Sequence, residues 1–210
     1  MPATVRPKKS RIKTQNEAII LDAALEVFSR FGYRGTTVDQ IAEAARMSKP
    51  NLLYYFKSKE EIYVALLQRT LKEWLAPLTG LDPEGDPEAE IGHYIAAKIA
   101  MSRKSPEASR LFANEILAGA PHIAAVLSGD LKALVDRKAG TLDAWMRKGK
   151  LAKVDPYHLI FMIWATTQHY ADFEVQIRAI LGPAIDTPDH FATAEETLTK
   201  VILEGLKPRS

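Results

Sequence analysis

The 210-residue sequence contains no cysteine and no long run of apolar residues. The lack of cysteine excludes disulfides and thiolate chemistry, and it fits a reducing compartment. The best apolar run, residues 159–165, is far shorter than the ~18 residues that a membrane-spanning helix needs. The charged N-terminus also lacks the apolar stretch of a signal peptide. These absences predict a cytoplasmic protein without a membrane partner.

Motifs for catalysis and metal binding are missing as well. The five histidines are scattered, and the chain has neither a glycine-rich phosphate loop nor an H-E-x-x-H spacing. His158 with Asp155, or His169 with Asp172, could be imagined as pairs. Neither pair comes with a nucleophile or a third orienting group. We therefore expect a protein that is not an enzyme and that needs no metal or cofactor.

Negative charge is scarce at the start of the chain. The net charge is +2, but residues 1–60 carry +5 and the remainder carries −3. All five charged residues among the first 13 are basic. This asymmetry indicates an anionic partner for the N-terminal part, such as nucleic acid or a membrane surface. A solvated basic tail would explain the same charges.

What the sequence does contain is helical periodicity. Apolar residues recur with a period near 3.6 in residues 16–32, and no alternating stretch is long enough for a sheet. Serine, threonine or proline precedes most of the other segments, as is typical of helix starts. We expect an all-α fold of about nine helices. They lie at residues 16–32, in short helices starting at Thr36 or Thr37 and at Ser48, from Ser58 to about Leu78, and near residues 87–103, 105–118, 121–148, 155–182 and 188–206.

The stretch SKPNLLYYFKSKEEIY at residues 48–63 places three aromatic residues between lysines. Three short helices within about 45 residues have the spacing of a helix-turn-helix. In that arrangement Phe56 packs inward, while asparagine and tyrosine side chains of the third helix can reach base edges and phosphates. A plain three-helix packing unit with a charged rim is the alternative. The predicted DNA-binding residues are Thr36, Thr37, Ser48, Lys49, Asn51, Tyr54, Tyr55 and Lys59, the last one at a helix N-terminus where it can bind a phosphate.

The same residues resemble the DNA-binding domain of TetR-family transcriptional regulators. The resemblance rests on F-x-x-x-G-Y-x-G-T-T at residues 28–37, I-A at 41–42 and Y-Y-F-x-S-K-E at 54–60. It implies a homodimer that binds double-stranded operator DNA. Residues 1–60 would then form a helix-turn-helix domain with a basic N-terminal arm, and residues 61–210 would form a larger helical domain for ligand binding and dimerisation.

The C-terminal part resembles a narrower branch of that family, the pyrimidine-utilisation regulators, which sense uracil. This resemblance rests on WLAPL at residues 74–78, SRLFANEILAGAP at 109–121 and DPYHLIFMIWATTQHYADF at 155–173. It implies a small-molecule effector, uracil or thymine, and control of pyrimidine-metabolism genes. A TetR-family repressor that responds to a lipid, a drug or another metabolite is the alternative.

Candidate ligand-binding residues follow from helical stripes. If residues 155–182 form one helix, Gln168 shares a face with Tyr157, Phe161, Trp164, Ala171 and Val175, and Asp172 lies at its edge. The Gln168 amide complements a pyrimidine edge, although a core glutamine bonded to backbone is the simpler interpretation. The predicted ligand-binding residues are Trp74, Lys98, Glu115, Trp164, Gln168 and Asp172.

Within this set, Lys98 falls on an apolar stripe and therefore needs a counter-charge or a ligand oxygen. Glu115 is the expected partner, and a salt bridge at a domain surface is the alternative. Trp74 and Trp164 are candidate stacking plates for a flat heterocycle, or ordinary core residues. Residues 155–182 and 188–206 are expected to form a four-helix dimer interface that buries Ile177, Ile180, Leu198 and Ile202.

Overall fold

The computed structural model describes residues 8–208, leaving aside the side chains of residues 8–10 and 188. These residues contain ten helices of seven residues or more, one short helix and no strand, so the all-α prediction is confirmed. The helices are α1 (Lys8–Gly35), α2 (Val38–Ala44), α3 (Lys49–Tyr55), α4 (Lys59–Gly80), α5 (Pro87–Lys104), α6 (Pro106–Leu117), α7 (Ala124–Val126), α8 (Lys132–Arg147), α9 (Pro156–Asp172), α10 (Glu174–Leu181) and α11 (Pro188–Leu206). A π-helical turn (Leu127–Leu131) joins α7 to α8, and a 3₁₀ helix (Gly182–Asp186) follows α10.

Helix α1 is longer than predicted, because it already begins at Lys8. Near its end it is kinked at Gly32, whose φ of 67° lies in the left-handed region that glycine adopts without a steric penalty. The kink turns Tyr33 back against Tyr63, with ring centroids 4.8 Å apart. Of the predicted basic arm, Arg6 and the side chains of Lys8 and Lys9 lie outside the described residues.

Side-chain caps start the next three helices at the predicted positions. Thr37 caps α2 through a complete capping box, in which Gln40 also accepts from the Thr37 backbone N–H. The Ser48 hydroxyl caps α3, and the Ser58 hydroxyl accepts from Glu61 N at 3.1 Å at the start of α4. The Glu61 carboxylate, however, accepts from the backbone of Lys57, one residue earlier than a capping box requires. Short helices with fixed starts therefore follow from local sequence.

Two clusters of buried apolar residues hold the helices together. The first joins α1–α3 to the first half of α4, and it includes Leu111 of α6 and the residues Ala120 and Ile123 just after α6. We call the part formed by α1–α3 the head. The second cluster joins the end of α4 to α5, α8, α9 and α11. We call the part formed by α5–α11 the body. Helices α4 and α6 therefore connect the head to the body.

The prediction of one helix over residues 155–182 is wrong. Helix α9 ends at Asp172, and Phe173, with φ −115° and ψ 27°, separates it from α10. The face of α9 that packs inward carries Leu159, Ile160, Ile163, Thr167 and Ala171. The predicted stripe included Tyr157, Phe161 and Val175, which are exposed. Apolar residues surround α9 on all sides in residues 159–165, so periodicity could not identify its inner face.

Of the residues expected at a dimer interface, some are buried within their own chain and others are exposed. Ile202 is only 4% exposed because it packs in the second apolar cluster of its own chain, and Ile177 is also buried. Leu198 is partly buried against the same cluster, whereas Ile180 is 74% exposed. Further exposed apolar side chains on α9–α11 are Met162, Val175 and Val201. Among the described residues, no helix has the length and apolar character needed to cross a membrane.

Candidate ligand cavity and nucleic-acid interface

A small cavity of about 60 Å³ lies inside the body. Pockets for drug-sized ligands usually measure about 300–1,000 Å³, so this cavity has room only for a much smaller molecule. Its walls come from α4, α5, α6 and α9, and from the end of the π-helical turn. The lining residues are Thr70, Leu71, Trp74, Leu75, Lys98, Ser109, Phe112, Leu131, Trp164 and Gln168.

Lys98 is the charged residue of the cavity wall. Its side chain is 2% exposed, and its Nζ lies 3.9 Å from the centre of the Trp74 ring. Among the residues that the structure describes, Lys98 forms no hydrogen bond, and no carboxylate oxygen lies within 4.0 Å of its Nζ. Burial lowers the pKa of Lys98 to about 7, and the charge of Asp172 opposes this shift. A ligand oxygen would therefore find an amine that nothing else occupies.

Two uncharged polar side chains on the same cavity also lack partners. Thr70 is buried and Gln168 is half-buried, and both line the cavity. Within the described part of the chain, neither side chain forms a hydrogen bond. Buried polar side chains in folded proteins are nearly always hydrogen-bonded. Thr70, Lys98 and Gln168 together therefore present unused donors and acceptors to one small space.

Both predicted tryptophans line this cavity, although in different ways. The indole N–H of Trp164 donates to the Tyr94 hydroxyl at 2.5 Å, and this bond fixes the plane of the Trp164 ring. The Lys98 amine lies over the Trp74 ring as a cation–π contact, so one face of Trp74 is already in use. Trp164 is therefore the better placed of the two for stacking on a flat ligand.

Asp172 lies behind the cavity wall and contacts it through Ser109. The buried Ser109 hydroxyl lines the cavity and donates to the Asp172 carboxylate. Burial raises the pKa of Asp172, while the Ser109 hydrogen bond and the charges of Arg110 and Lys98 work in the opposite direction. Asp172 is not itself a lining residue, and its place in the predicted set is taken by Ser109, which sequence reasoning missed.

Glu115 does not belong to this cavity, and its predicted pairing with Lys98 is wrong. Its carboxylate accepts the His122 backbone N–H at 2.7 Å, and it lies 3.1 Å from Nδ1 of the same histidine. The two helices do meet, but Glu115 follows Ser109 by six residues. Their side chains therefore point about 120° apart around α6. Sequence spacing placed Glu115 on α6 without showing which side of that helix faces α5.

Glu115 lies instead where the head meets the body, in a group that we call the joint cluster: Tyr33, Tyr63, Glu115 and His122. The His122 ring is 4.5 Å from the Tyr33 ring and 5.1 Å from the Tyr63 ring. Burial and the charge of Glu115 raise the pKa of Tyr63. Helix α6 thus touches the cavity through Ser109 and Phe112 at one end and the joint cluster through Glu115 at the other.

The head presents α3 as an exposed helix. Lys49, Asn51 and Tyr54 are exposed, and the large Tyr54 side chain is 69% exposed. Lys49 Nζ forms an exposed ion pair with Asp39 of α2 at 2.9 Å. Phe56 is buried in the head cluster, as expected for the inward-facing member of the three aromatic residues.

Two predicted DNA-binding side chains are engaged elsewhere. Thr36 is 2% exposed, and its hydroxyl donates to the Gly32 carbonyl at 2.7 Å, so this side chain cannot reach DNA. The Lys59 ammonium donates to the carbonyls of Tyr33 and Thr36 at 2.8 and 2.9 Å. It therefore caps the end of α1, which sequence reasoning did not foresee because the kink at Gly32 brings those carbonyls to α4.

Thr37 and Ser48 are exposed, but their hydroxyls cap helices. Tyr55 is partly buried, and its hydroxyl accepts a hydrogen bond from Asn16 Nδ2 at 2.6 Å. Asn16 was not among the predicted residues, since it precedes the recognisable motif and comes from the first half of α1. No sequence signal pairs two residues that stand 39 positions apart.

Both the N-terminal and the C-terminal part of the chain match known protein families. Residues 20–66 match the family described as "Bacterial regulatory proteins, tetR family", and residues 67–209 match "YcdC-like protein, C-terminal region". The chain is 50% identical over 202 residues to the HTH-type transcriptional regulator RutR of Escherichia coli, covering 96% of this chain and 95% of RutR. It is 27% identical to the HTH-type transcriptional repressor NicS of Pseudomonas putida, over 90% of this chain and 91% of NicS.

Solved structures show the same fold. A ketosteroid transcriptional regulator of Mycobacterium tuberculosis superposes with a TM-score of 0.70 at 19% identity, covering 92% of this chain and 95% of its own. The fatty acid degradation regulator FadR of Bacillus halodurans gives 0.67 at 21% identity, covering 98% and 100%. The matched proteins are transcriptional regulators, which confirms that the chain is not an enzyme. The chain belongs to the TetR family of DNA-binding transcriptional regulators.

Proposed function

We propose that this regulator binds operator DNA as a homodimer and that its effector is a small planar pyrimidine, uracil or thymine. It would then control genes of pyrimidine metabolism. One observation carries the effector proposal: the unpaired side chains of Thr70, Lys98 and Gln168 meet on a cavity of about 60 Å³. The resemblance to pyrimidine-utilisation regulators supplies the name of the ligand, and the cavity supplies the chemistry.

The polar groups of the cavity complement the edge of a pyrimidine. Uracil presents C=O and N–H groups in alternation, and the Gln168 amide can accept from one group and donate to its neighbour. The Lys98 amine can donate to a second carbonyl, and the Thr70 hydroxyl can serve either as donor or as acceptor. The fixed ring of Trp164 offers a flat apolar surface for the face of the heterocycle.

The cavity also disfavours the alternative effectors. A lipid or a large drug needs a longer apolar pocket, and its hydrocarbon would leave Thr70, Lys98 and Gln168 buried without partners. Each unpaired polar group of that kind opposes binding by about 1–3 kcal/mol. A small polar heterocycle satisfies these groups without enlarging the cavity.

For the DNA-binding half of the proposal, α3 is the element that enters the major groove. Its exposed face offers Asn51 and Tyr54 for base edges and Lys49 for phosphates. A dimer would place the two copies of α3 about 34–36 Å apart, opposite two half-sites of a pseudo-palindrome. The exposed apolar residues Met162, Val175, Ile180 and Val201 of α9–α11 supply the surface for that dimer.

Titration calorimetry tests the effector. We expect uracil or thymine to bind the wild type and Gln168→Leu to weaken binding about 5- to 150-fold, because the polar edge of the ligand loses its partner. Gln168→Glu should also weaken binding, since it replaces amide donors with a charge. Gln68→Leu, the same change at an exposed position of α4, is the matched control and should bind like the wild type.

The outcomes separate the two parts of the proposal. No heat of binding with the wild type would remove pyrimidines as effectors. Wild-type affinity in both Gln168 variants would leave the ligand in place and remove Gln168 from its site.

A further inference from the structure

A single hydrogen bond ties the start of the chain to the end of α3. The Asn16 side-chain N–H donates to the Tyr55 hydroxyl over 2.6 Å. Asn16 lies in the first half of α1, and Tyr55 is the last residue of α3. Both residues are partly exposed, so the bond lies at the surface of the head rather than in its core.

This bond determines where the proton of the tyrosine points. A phenol oxygen can accept one hydrogen bond while its own O–H donates another. Because Asn16 is the donor, the Tyr55 hydrogen points away from the amide, and among the described residues it is donated to no other group. The Tyr55 ring packs against the head cluster, so the ring and the hydroxyl are held at two separate points. The free O–H is thereby aimed before any partner arrives.

The surroundings show what that partner is. Exposed Tyr54 meets Tyr55 edge-on at 5.2 Å, and Lys57 Nζ lies 5.8 Å from the centre of the Tyr54 ring. A donor at the end of α3, close to the cationic Lys57, matches a backbone phosphate oxygen.

We propose that Asn16 is a positioning residue of the DNA interface, which holds the Tyr55 hydroxyl so that it donates to a DNA phosphate. The proposal rests on the DNA-reading role of α3. Asn16 itself need not touch DNA. Its contribution is to remove the rotational freedom that the phenol O–H would otherwise lose on binding.

A double-mutant cycle tests this role. The probe is a fluorescent duplex selected from a random library with the wild-type protein, and affinity is read by anisotropy. We expect Asn16→Ala and Tyr55→Phe each to weaken binding about 2- to 12-fold, as for one hydrogen bond. The double variant should bind no more weakly than Tyr55→Phe alone, because Asn16 has nothing left to position.

The salt dependence of binding provides a second readout. A neutral phenol displaces no counterion, so Asn16→Ala and Tyr55→Phe should leave the slope of log affinity against log salt unchanged. Lys57→Ala serves as the contrast, and if that lysine contacts a phosphate its slope should fall by about one unit. The affinity of either variant for the effector should remain that of the wild type.

Asn16→Asp reverses the direction of the hydrogen bond. A carboxylate can only accept, so it would draw the Tyr55 proton to itself and away from DNA. We expect Asn16→Asp to bind more weakly than Asn16→Ala, and the excess over general charge repulsion should vanish in the Tyr55→Phe background. Gln15→Asp, at an exposed neighbouring position, measures the charge repulsion alone.

Three results would overturn the proposal: unchanged affinity in Asn16→Ala, an equal loss in the wild-type and Tyr55→Phe backgrounds, or equal effects of Asn16→Asp and Gln15→Asp. If Asn16→Ala does not fold, Asn16→Leu takes its place in the same cycle. If the wild type selects no duplex from the library, the DNA-reading role of α3 fails, and the proposal about Asn16 fails with it.

Discussion

Lys98 and Glu115 are both charged and almost fully buried, at 2% and 3% exposure, yet their surroundings differ completely. Glu115 in the joint cluster has its carboxylate bonded by the backbone N–H and the ring of His122. Lys98 in the cavity lies over the face of Trp74 and, among the described residues, forms neither a hydrogen bond nor an ion pair. Glu115 lies where the head meets the body, and Lys98 lies inside the body.

We propose that the difference separates a structural charge from one that a ligand compensates. Burying a charge is unfavourable unless hydrogen bonds or an opposite charge compensate it. At Glu115 the protein itself provides that compensation, so the residue stabilises the fold. At Lys98 the protein offers only the Trp74 ring and the charge of Asp172, which does not reach it as an ion pair, so part of the burial penalty remains for a bound molecule to remove. Burial alone would have ranked the two residues equally.

The largest effect is expected at the joint cluster. Glu115→Ala removes the acceptor of the His122 N–H and leaves its partners buried, so it should lower the free energy of unfolding by about 3–5 kcal/mol. Glu115→Gln keeps one acceptor oxygen and should lose less. Urea unfolding measures both, with exposed Asn114→Ala as the matched control on α6. A loss below 1 kcal/mol in Glu115→Ala would place Glu115 in the same class as Lys98.

A smaller effect of opposite sign is expected in the cavity. Lys98→Met replaces the unpaired amine with an apolar side chain of similar length, and it should raise the free energy of unfolding at pH 7 by about 1–3 kcal/mol. The same change should abolish effector binding, which calorimetry would show. Lys72→Met on the exposed side of α4 is the control and should stay within about 0.5 kcal/mol of the wild type. A destabilised Lys98→Met would mean that Trp74 compensates the amine fully.

The smallest effect is the pH dependence of that gain. The pKa of Lys98 is about 7 in the folded protein and 10.5 in the unfolded chain, so the unfolded chain binds more protons between these two values. The wild type should therefore gain stability as the pH rises through this window, by up to about 1.4 kcal/mol per pH unit. Lys98→Met lacks this term, and its advantage over the wild type should shrink. Urea unfolding of both proteins at pH 7, 8 and 9 tests this, and a constant gap would exclude proton release from Lys98.

The sequence predicted the fold well where local chemistry decides it. Thr37, Ser48 and Ser58 start helices where their hydroxyls can cap them, and the periodicity of α1 is visible directly. The break at Phe173 was not predictable in that way, because neither glycine nor proline stands there. The early start of α1 at Lys8 lay in a polar stretch without an apolar stripe.

The lining of the cavity was predictable to the extent that helix spacing determines it, while its role in ligand binding stays a prediction. Trp74, Lys98, Trp164 and Gln168 all line one cavity, as the sequence and the resemblance suggested. Thr70 and Ser109 were missed, since a small hydroxyl on a helix gives no sign of what it faces. Glu115 was misplaced because a sequence gives the order of side chains around a helix but not how that helix is rotated against its neighbours.

Helix α6 links the two regions, since Ser109 and Phe112 line the cavity and Glu115 holds the joint cluster. Ser109 and Glu115 are six residues apart, fewer than two turns of the same helix, so a shift of α6 at the cavity also moves the joint cluster. If operator and effector favour different positions of α6, their binding is thermodynamically reciprocal. Whatever factor the effector imposes on the affinity for DNA, bound DNA must impose on the affinity for the effector. A regulator on its operator and one free in solution would then respond to different concentrations of the same metabolite.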